Sequence, residues 1–363
     1  MSTASSPARC PSVEQLTESV LWRKTVDSKE RVETVLALGV PDRVPVFPQI
    51  GDHAGILAGL RYDAMYRNAE QAAEAHLAAW RRYGYDVVSI QVEPSWPVAE
   101  ACGAEVTYPP DKCPWITRNP VEHEDALRAL QVPDFRATRS TAVLLEGTRL
   151  LAERADAPVA AFMTGPLTFS LQLMPYTRFI TATIKKRDFV KQLIRTSVAI
   201  IRAYGQALRD AGASIFVLCE HDVQMFSPTD FKELSLDFLP ELFDLYPYTL
   251  LHLCGKVTPH LKANLNTLRA LNGLNMINVG PHVDMAALKV ALERKVGVAG
   301  NVDHVQLLPH ATPAEVEEAA RRALEAGKPG GGFMLAPGCE ITADTPPENV
   351  QAFVGAARKY GAC

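Results

Sequence analysis

The chain has 363 residues, 47% apolar and 21% charged, with 37 Lys+Arg against 41 Asp+Glu for a formal net charge of −4. This balance argues against a basic surface for nucleic acid or anionic lipid, so neither is expected as a partner. No apolar run approaches the ~18 residues of a membrane helix, and seven cysteines (10, 102, 113, 219, 254, 339 and 363) are too few for a disulfide scaffold.

The opening MSTASSPARC lacks the apolar stretch of a secretory signal, and the cysteines read as reduced thiols of a cytoplasmic protein. Residues 1–25 are polar and without periodicity, and are expected to form an extension ahead of one domain over 26–363. From residue 28 onward, short apolar β-prone runs alternate with helical spacing. The runs are 44–50, 86–92, 158–163, 214–219, 248–254, 275–279, 296–300 and 331–337. Helical patterns follow over 67–83, 138–155, 187–211, 228–245, 257–272, 284–294, 312–326 and 346–360. Eight such units are the arithmetic of a single (β/α)8 TIM barrel of the α/β class. The runs are apolar throughout rather than alternating, as strands covered on both faces require. A doubly wound sheet fits less well, because no Gly-rich dinucleotide fingerprint follows an early strand. Residues 101–120 break the rhythm and read as a hairpin inserted after the second strand.

In such a barrel the chemistry sits where the strands end. There the sequence places Asp52 and His53, Glu93, Thr164, Glu220 and Asp222, His252 and Cys254, Asn278, Asn301 and Asp303, and Cys339 with Glu340. His252 and Cys254 are two residues apart on an extended strand, so both side chains face one way. Cys339 closes the eighth run, and the fifth and eighth strand ends face a common mouth. One nitrogen and two sulfurs form three-quarters of a tetrahedral Zn²⁺ site with a position left open, the pattern of catalytic rather than structural zinc. The plainer alternative is that His252 and Cys254 are core residues of a buried strand.

The remaining polar residues have looser assignments. Glu220 and Asp222 are candidates for a fourth ligand, a general acid or a substrate contact, against helix capping, for which Ser227-Pro228 is the better cap. Asp52, His53, Glu93 and Asn301 are candidate substrate-binding residues. Asp303, with Asn301, is a candidate to hold the second ring nitrogen of His252, against capping the next helix. Trp96, Phe162 and Phe226 suggest a moderately apolar mouth for a small or aromatic substrate.

The stretches LLHLCGKVTPHLKANLNTL and VGVAGNVDHVQLLPHATPAEVEEAARRALEAGKPGGGFMLAPGCEITADTPPENVQAFV closely resemble the uroporphyrinogen decarboxylase-like superfamily, and within it the zinc-dependent, corrinoid-linked methyltransferase branch. SKERVETVLALGVPDRVPVF and SPTDFKELSLDFLPEL are similar to the same superfamily, so the resemblance spans residues 28–360. It implies a (β/α)8 barrel and zinc ligands at His252, Cys254 and Cys339. It also implies methyl transfer between a small substrate, such as an aryl methyl ether or a thiol, and the cobalt of a corrinoid. That corrinoid is expected on a separate carrier protein docking at the barrel mouth. The chain itself lacks a DxHxxG carrier signature, since Asp303-His304 is followed by VQLLP without the glycine. Decarboxylases of the superfamily hold the substrate's carboxylates with an arginine-rich early loop and need no metal. Here QIGDHAGILAGLR offers only Arg61 and His53. Metal-free decarboxylation and a non-catalytic barrel that binds a corrinoid protein are the alternatives.

Overall fold

The computed structural model describes residues 26–90 and 95–363, so the expected extension over 1–25 and the candidate Glu93 lie outside the described residues. A hairpin of β1 (Glu105–Thr107) and β2 (Trp115–Arg118) occupies the expected insertion. The later apolar runs form six parallel strands hydrogen-bonded in chain order: β3 (Ala160–Thr164), β4 (Ile215–Cys219), β5 (Tyr248–Leu253), β6 (Leu274–Val279), β7 (Gly297–Val302) and β8 (Phe333–Pro337). Each agrees with its expected run to within two residues.

The first two runs complete the ring without becoming full strands. Val46 bridges Leu335 of β8 in parallel, and Leu335 N donates to Pro45 O at 2.9 Å. Asp86 N donates to Val46 O at 2.9 Å, and Val88 bridges Val159 beside β3. Pro45 and Pro48 lack the N–H groups that a longer ladder over 44–50 would need, which explains why the first run pairs only briefly.

Alternate residues of the ring point inward. Phe47, Phe162, Val217, Leu250, Met276 and Met334 form one buried cluster with Val32, Val35 and Leu36 of the helix Ser28–Leu36, which stoppers the lower end of the barrel. Asp27 caps that helix by accepting from Glu30 N. Val32, Val35 and Leu36 are each at most 1% exposed, worth ~1.5–3 kcal/mol apiece in apolar transfer. Beside them Asp86 is buried and accepts from Arg31 Nη1 at 2.9 Å, Arg43 Nη1 at 2.8 Å, Ser28 Oγ at 3.0 Å and Val46 N at 2.9 Å. This charge cluster ties the stopper to both irregular segments.

Outer helices cover the ring, and most match their expected spans, for example Ala69–Tyr83, Arg187–Asp210 and Pro347–Tyr360. The span expected as one helix over 228–245 is instead divided into Pro228–Phe231, a π turn over Lys232–Leu236, and Pro240–Phe243. Pro240 has no N–H to continue the ladder, and the π turn carries Ser235, whose hydroxyl donates to the buried Glu220. Short helices Asp52–Leu57, Pro166–Leu173 and Tyr176–Lys185 also roof the upper end; their spacing was too brief or too uniformly apolar to stand out.

Candidate metal centre

The alternation of Leu250 and His252 along β5 continues to Cys254 just past its end, delivering an imidazole and a thiol to the upper mouth. Cys339 arrives just beyond β8. The ligand atoms of His252, Cys254 and Cys339 all lie within 4.8 Å of one another. Donors around tetrahedral zinc at ~2.0–2.3 Å sit roughly 3.5–4 Å apart, so a small inward movement of the side chains suits the ion. A histidine nitrogen with two soft sulfurs is a donor set that zinc favours. The residues present fit the metal.

Two glycines allow this convergence for different reasons. Gly255 has φ 82, and a Cβ there would stand 2.4 Å from Gln224 Oε1. Gly338 needs no unusual dihedral; a Cβ on it would meet Pro281 Cδ at 2.6 Å and Gly280 Cα at 3.0 Å. The sulfurs share one proton's worth of hydrogen bonding. Cys339 is held well below the ordinary thiol range, chiefly by the hydrogen bond from Cys254 and also by His252 beside it, while Cys254 is pushed up in return.

The partner of His252 is Asn278. The His252 Nδ1 meets Asn278 Oδ1, which leaves Nε2 as the ligand atom. Asn278 Oδ1 also accepts from Gln49 Nε2 at 2.9 Å, and Asn278 Nδ2 donates to Ala299 O at 3.2 Å and Pro337 O at 3.3 Å. This corrects the expectation for Asp303 and Asn301. Asp303 Oδ1 instead accepts from Val305 N and Gln306 N, both at 2.9 Å, capping its own turn. Asn301 Nδ2 donates to Val283 O at 2.8 Å and Gly280 O at 3.3 Å, tying the loop after β6. Asn278 occupies the site because it pairs in register with His252 on the neighbouring strand.

Glu220 is fully buried, and its carboxylate accepts from Leu167 N at 3.0 Å, Thr168 N at 2.9 Å and Ser235 Oγ at 2.6 Å. It therefore caps the helix Pro166–Leu173, a different helix from the one expected, and Gly165 makes room, since a Cβ there would lie 2.4 Å from the Glu220 carboxyl carbon. Burial raises its pKa. Asp222 is half-buried, 3.5 Å from His221 Nε2, with its pKa raised by burial. It is the better placed of the two for contact with solvent or a ligand.

His53 is buried, with Nε2 2.9 Å from Tyr83 Oη and Nδ1 3.3 Å from Ala343 O. Both nitrogens are engaged, so it braces the loop after β8 behind the mouth, and burial lowers its pKa. Asp52 faces Cys113 of the inserted hairpin, whose thiol donates to Asp52 Oδ2 at 3.1 Å, and Asp52 N donates to Glu340 Oε1 at 3.0 Å. Phe162 lies inside the barrel, 5.6 Å from the Phe47 ring, and so belongs to the core rather than the mouth. Phe226 packs edge-on against Phe179 at 6.1 Å, and Trp96 is half-buried.

Three residues near the centre had no assigned role in the sequence reading. Asn278 carried a detectable signal, two residues after the inward Met276 at a strand end. Gln49 did not, because its amide reaches the barrel axis only through a left-handed backbone at φ 51. His304 is the third: its Nδ1 is buried without a hydrogen-bond partner and would stand 3.2 Å from a Cβ on Gly338.

Fold and donor set together define an α/β barrel with a His/Cys/Cys cluster that could hold a cation at the C-terminal ends of its strands. The family described as uroporphyrinogen decarboxylase (URO-D) matches residues 27–360, and the chain belongs to that family. It is 26% identical to the methylcobamide:CoM methyltransferase MtaA of Methanosarcina barkeri, over 83% of this chain and 88% of that protein. It is 24% identical to the methylcobamide:CoM methyltransferase MtbA of Methanosarcina acetivorans, over 92% and 98%. Uroporphyrinogen decarboxylases also match, at 22–24%. Among solved structures, a methyltransferase from Methanosarcina mazei superposes with TM-score 0.83 at 24% identity, covering 92% of this chain and 99% of that one. That superposition supports the barrel as the fold. Among the described residues no helix is long and apolar enough to cross a membrane.

Proposed function

We propose that this protein is a zinc-dependent methyltransferase that moves a methyl group between a small substrate, a thiol or a methyl ether, and the cobalt of a corrinoid carried by a separate protein. The observation that carries the reading is the gathering of His252, Cys254 and Cys339 within 4.8 Å at the open end of the barrel. These three residues would hold zinc, and Asn278 would hold His252 with Nε2 forward. Zinc bound there would supply Lewis-acid chemistry, favouring the deprotonated form of a thiol or the departure of a methylated heteroatom.

The protein's own residues prepare that chemistry. The shared hydrogen bond keeps Cys339 ready to bind as thiolate. With a neutral imidazole, two thiolates cancel the dication's charge, so the centre does not itself demand an anionic substrate. Asp222 is the candidate proton carrier at the rim, and Asp52 and Glu340 line the side nearest Cys339. A carrier protein would find exposed apolar side chains in Ile56, Trp115, Met225 and Val305, which stand on the short helices, hairpin and turn that follow the strand ends.

The decarboxylase alternative is less well supported. Arg61, the early-loop arginine, pairs with Asp63 at 3.0 Å, and that reading gives the two cysteines and the histidine no task.

Replacing Cys254 or Cys339 by Ala tests the proposal. Each variant is expected to lose bound zinc, measured by elemental analysis, together with methyl exchange with methylcobalamin. A variant that stays zinc-free yet fully active overturns it.

A further inference from the structure

The barrel interior changes character at one level. Phe47, Phe162, Val217, Leu250, Met276 and Met334 fill it with apolar side chains. Two residues further along the strands, Thr164 pairs in register with Cys219, Cys219 with His252, and His252 with Asn278. Gln49, two residues after Phe47, joins this level through the hydrogen bond from its Nε2 to Asn278 Oδ1 at 2.9 Å. Side chains from four neighbouring strands and the first barrel segment thus form the floor of the mouth, directly above the apolar filling and carrying the ligand residue His252.

Two polar atoms of this floor are unsatisfied. Gln49 is 2% exposed and Thr164 0%, yet Gln49 Oε1 and Thr164 Oγ1 are buried without a hydrogen-bond partner among the described residues. The Gln49 amide cannot be turned round. Its Nε2 also faces Pro337 O at 3.5 Å, so exchanging nitrogen for oxygen would set three carbonyl oxygens together. Oε1 can only accept, whereas the Thr164 hydroxyl can donate and accept. Such groups are costly to leave unmet, so the floor calls for an occupant that donates a hydrogen bond. A head group made only of acceptors, such as sulfonate or carboxylate, leaves Oε1 unmet, and two neutral partners compensate a full charge poorly in so buried a place.

We infer that the small substrate carries an uncharged hydrogen-bond donor, a hydroxyl in the simplest case, received by Gln49 Oε1 and the Thr164 hydroxyl on the floor that carries His252. With the apolar filling below and the open end above, the floor is the place for the part of the substrate that does not react. The inference rests on the methyl-transfer reading for the word substrate, but its test does not depend on turnover. 2-Mercaptoethanol and 1-propanethiol, equal in length and differing in hydroxyl against methyl, are titrated calorimetrically into the zinc-loaded protein. The ratio of their affinities is compared between the parent and each variant, so that the inherent difference between the thiols cancels. Methyl transfer to each from free methylcobalamin is followed in parallel.

In Gln49→Leu and in Thr164→Val the ratio is expected to move at least about fivefold against 2-mercaptoethanol, with zinc content at saturating metal unchanged. Thr164→Ser, which keeps the hydroxyl, is expected to hold the parent's ratio within about twofold. A ratio unmoved in either Gln49→Leu or Thr164→Val, as an ordered water on the floor would give, overturns the inference, and so does a ratio lost in Thr164→Ser. If the ratio responds as expected and no methyl moves to either thiol, the hydroxyl assignment stands and the methyl-transfer reading falls. If methyl moves to both thiols and the ratio ignores the variants, the inference falls alone. If neither thiol binds the zinc-loaded protein, both fall.

Discussion

Asn278 is the residue whose removal should separate positioning of the metal ligand from mere presence of the ligand set. It accepts from His252 Nδ1 and from Gln49 Nε2 at 2.9 Å, and donates to Ala299 O at 3.2 Å and Pro337 O at 3.3 Å. Asn278→Ala leaves two donors and two acceptors without that partner. Each unmet buried group costs ~1–3 kcal/mol, but water can enter the vacated space, so a net stability loss of about 2–4 kcal/mol is expected. The imidazole, no longer held at Nδ1, gains freedom to rotate, and zinc affinity should fall ~10–100-fold, about 1.4–2.7 kcal/mol. The assay is competition for zinc against a chromogenic chelator, at a temperature where circular dichroism shows the variant folded. Gln49→Leu provides the graded comparison, because it leaves the contact between Asn278 and His252 intact; its zinc affinity should fall by no more than about a third as much in free energy. Should Asn278→Ala hold zinc within about threefold of the parent, the hydrogen bond does not position the ligand and the argument fails.

Asp86→Ala removes the acceptor for two arginines in a buried setting, with Asp86 at 1% side-chain exposure and Arg31 at 7%, and should cost about 3–5 kcal/mol in chemical denaturation; a loss below about 1 kcal/mol would show that the cluster is dispensable. His76 is fully buried, and burial lowers its pKa from 6.5 to about 3. The unfolded chain then takes up a proton below pH 6.5 that the folded chain refuses, so stability falls as the pH drops from 6.5 towards 3. Over pH 6.5 to 5 the loss amounts to about 2 kcal/mol, and His76→Leu should flatten that portion of the stability profile; an unchanged slope would count against a neutral buried imidazole. Gly165→Ala forces a methyl to within 2.4 Å of the Glu220 carboxyl carbon and should lower Tm by several degrees with zinc content unchanged; loss of zinc instead would tie Glu220 to the centre directly.

The sequence displayed the barrel because parallel strands covered on both faces leave an unbroken apolar trace, and eight such traces remain visible even where the ladder is short. It displayed His252, Cys254 and Cys339 because alternation along a strand and position at a strand end are properties of one dimension. The hydrogen-bonding roles were harder to read. Asp303 was the near neighbour in sequence logic, yet the neighbour across the sheet, Asn278, holds the imidazole, since strand register is a three-dimensional quantity. Glu220 looked like chemistry and turned out to cap a helix more than fifty residues earlier, a contact that only tertiary folding creates. His53 was expected at a ligand and instead has both nitrogens tied to Tyr83 and Ala343. Gln49 lay hidden because a residue beside a proline in a short apolar run gives no hint of a left-handed backbone.

The helix Ser28–Leu36 fills the lower opening with Val32, Val35 and Leu36, so that among the described residues the upper mouth is left as the doorway. In the methyl-transfer reading, a compact guest and the much bulkier cobalt-bearing visitor must use that one entrance. The order of arrival is then imposed by size: the compact guest has to be seated before the visitor closes the door behind it. Traffic of that kind predicts that a saturating excess of the bulky reactant delays the compact one rather than hastening it.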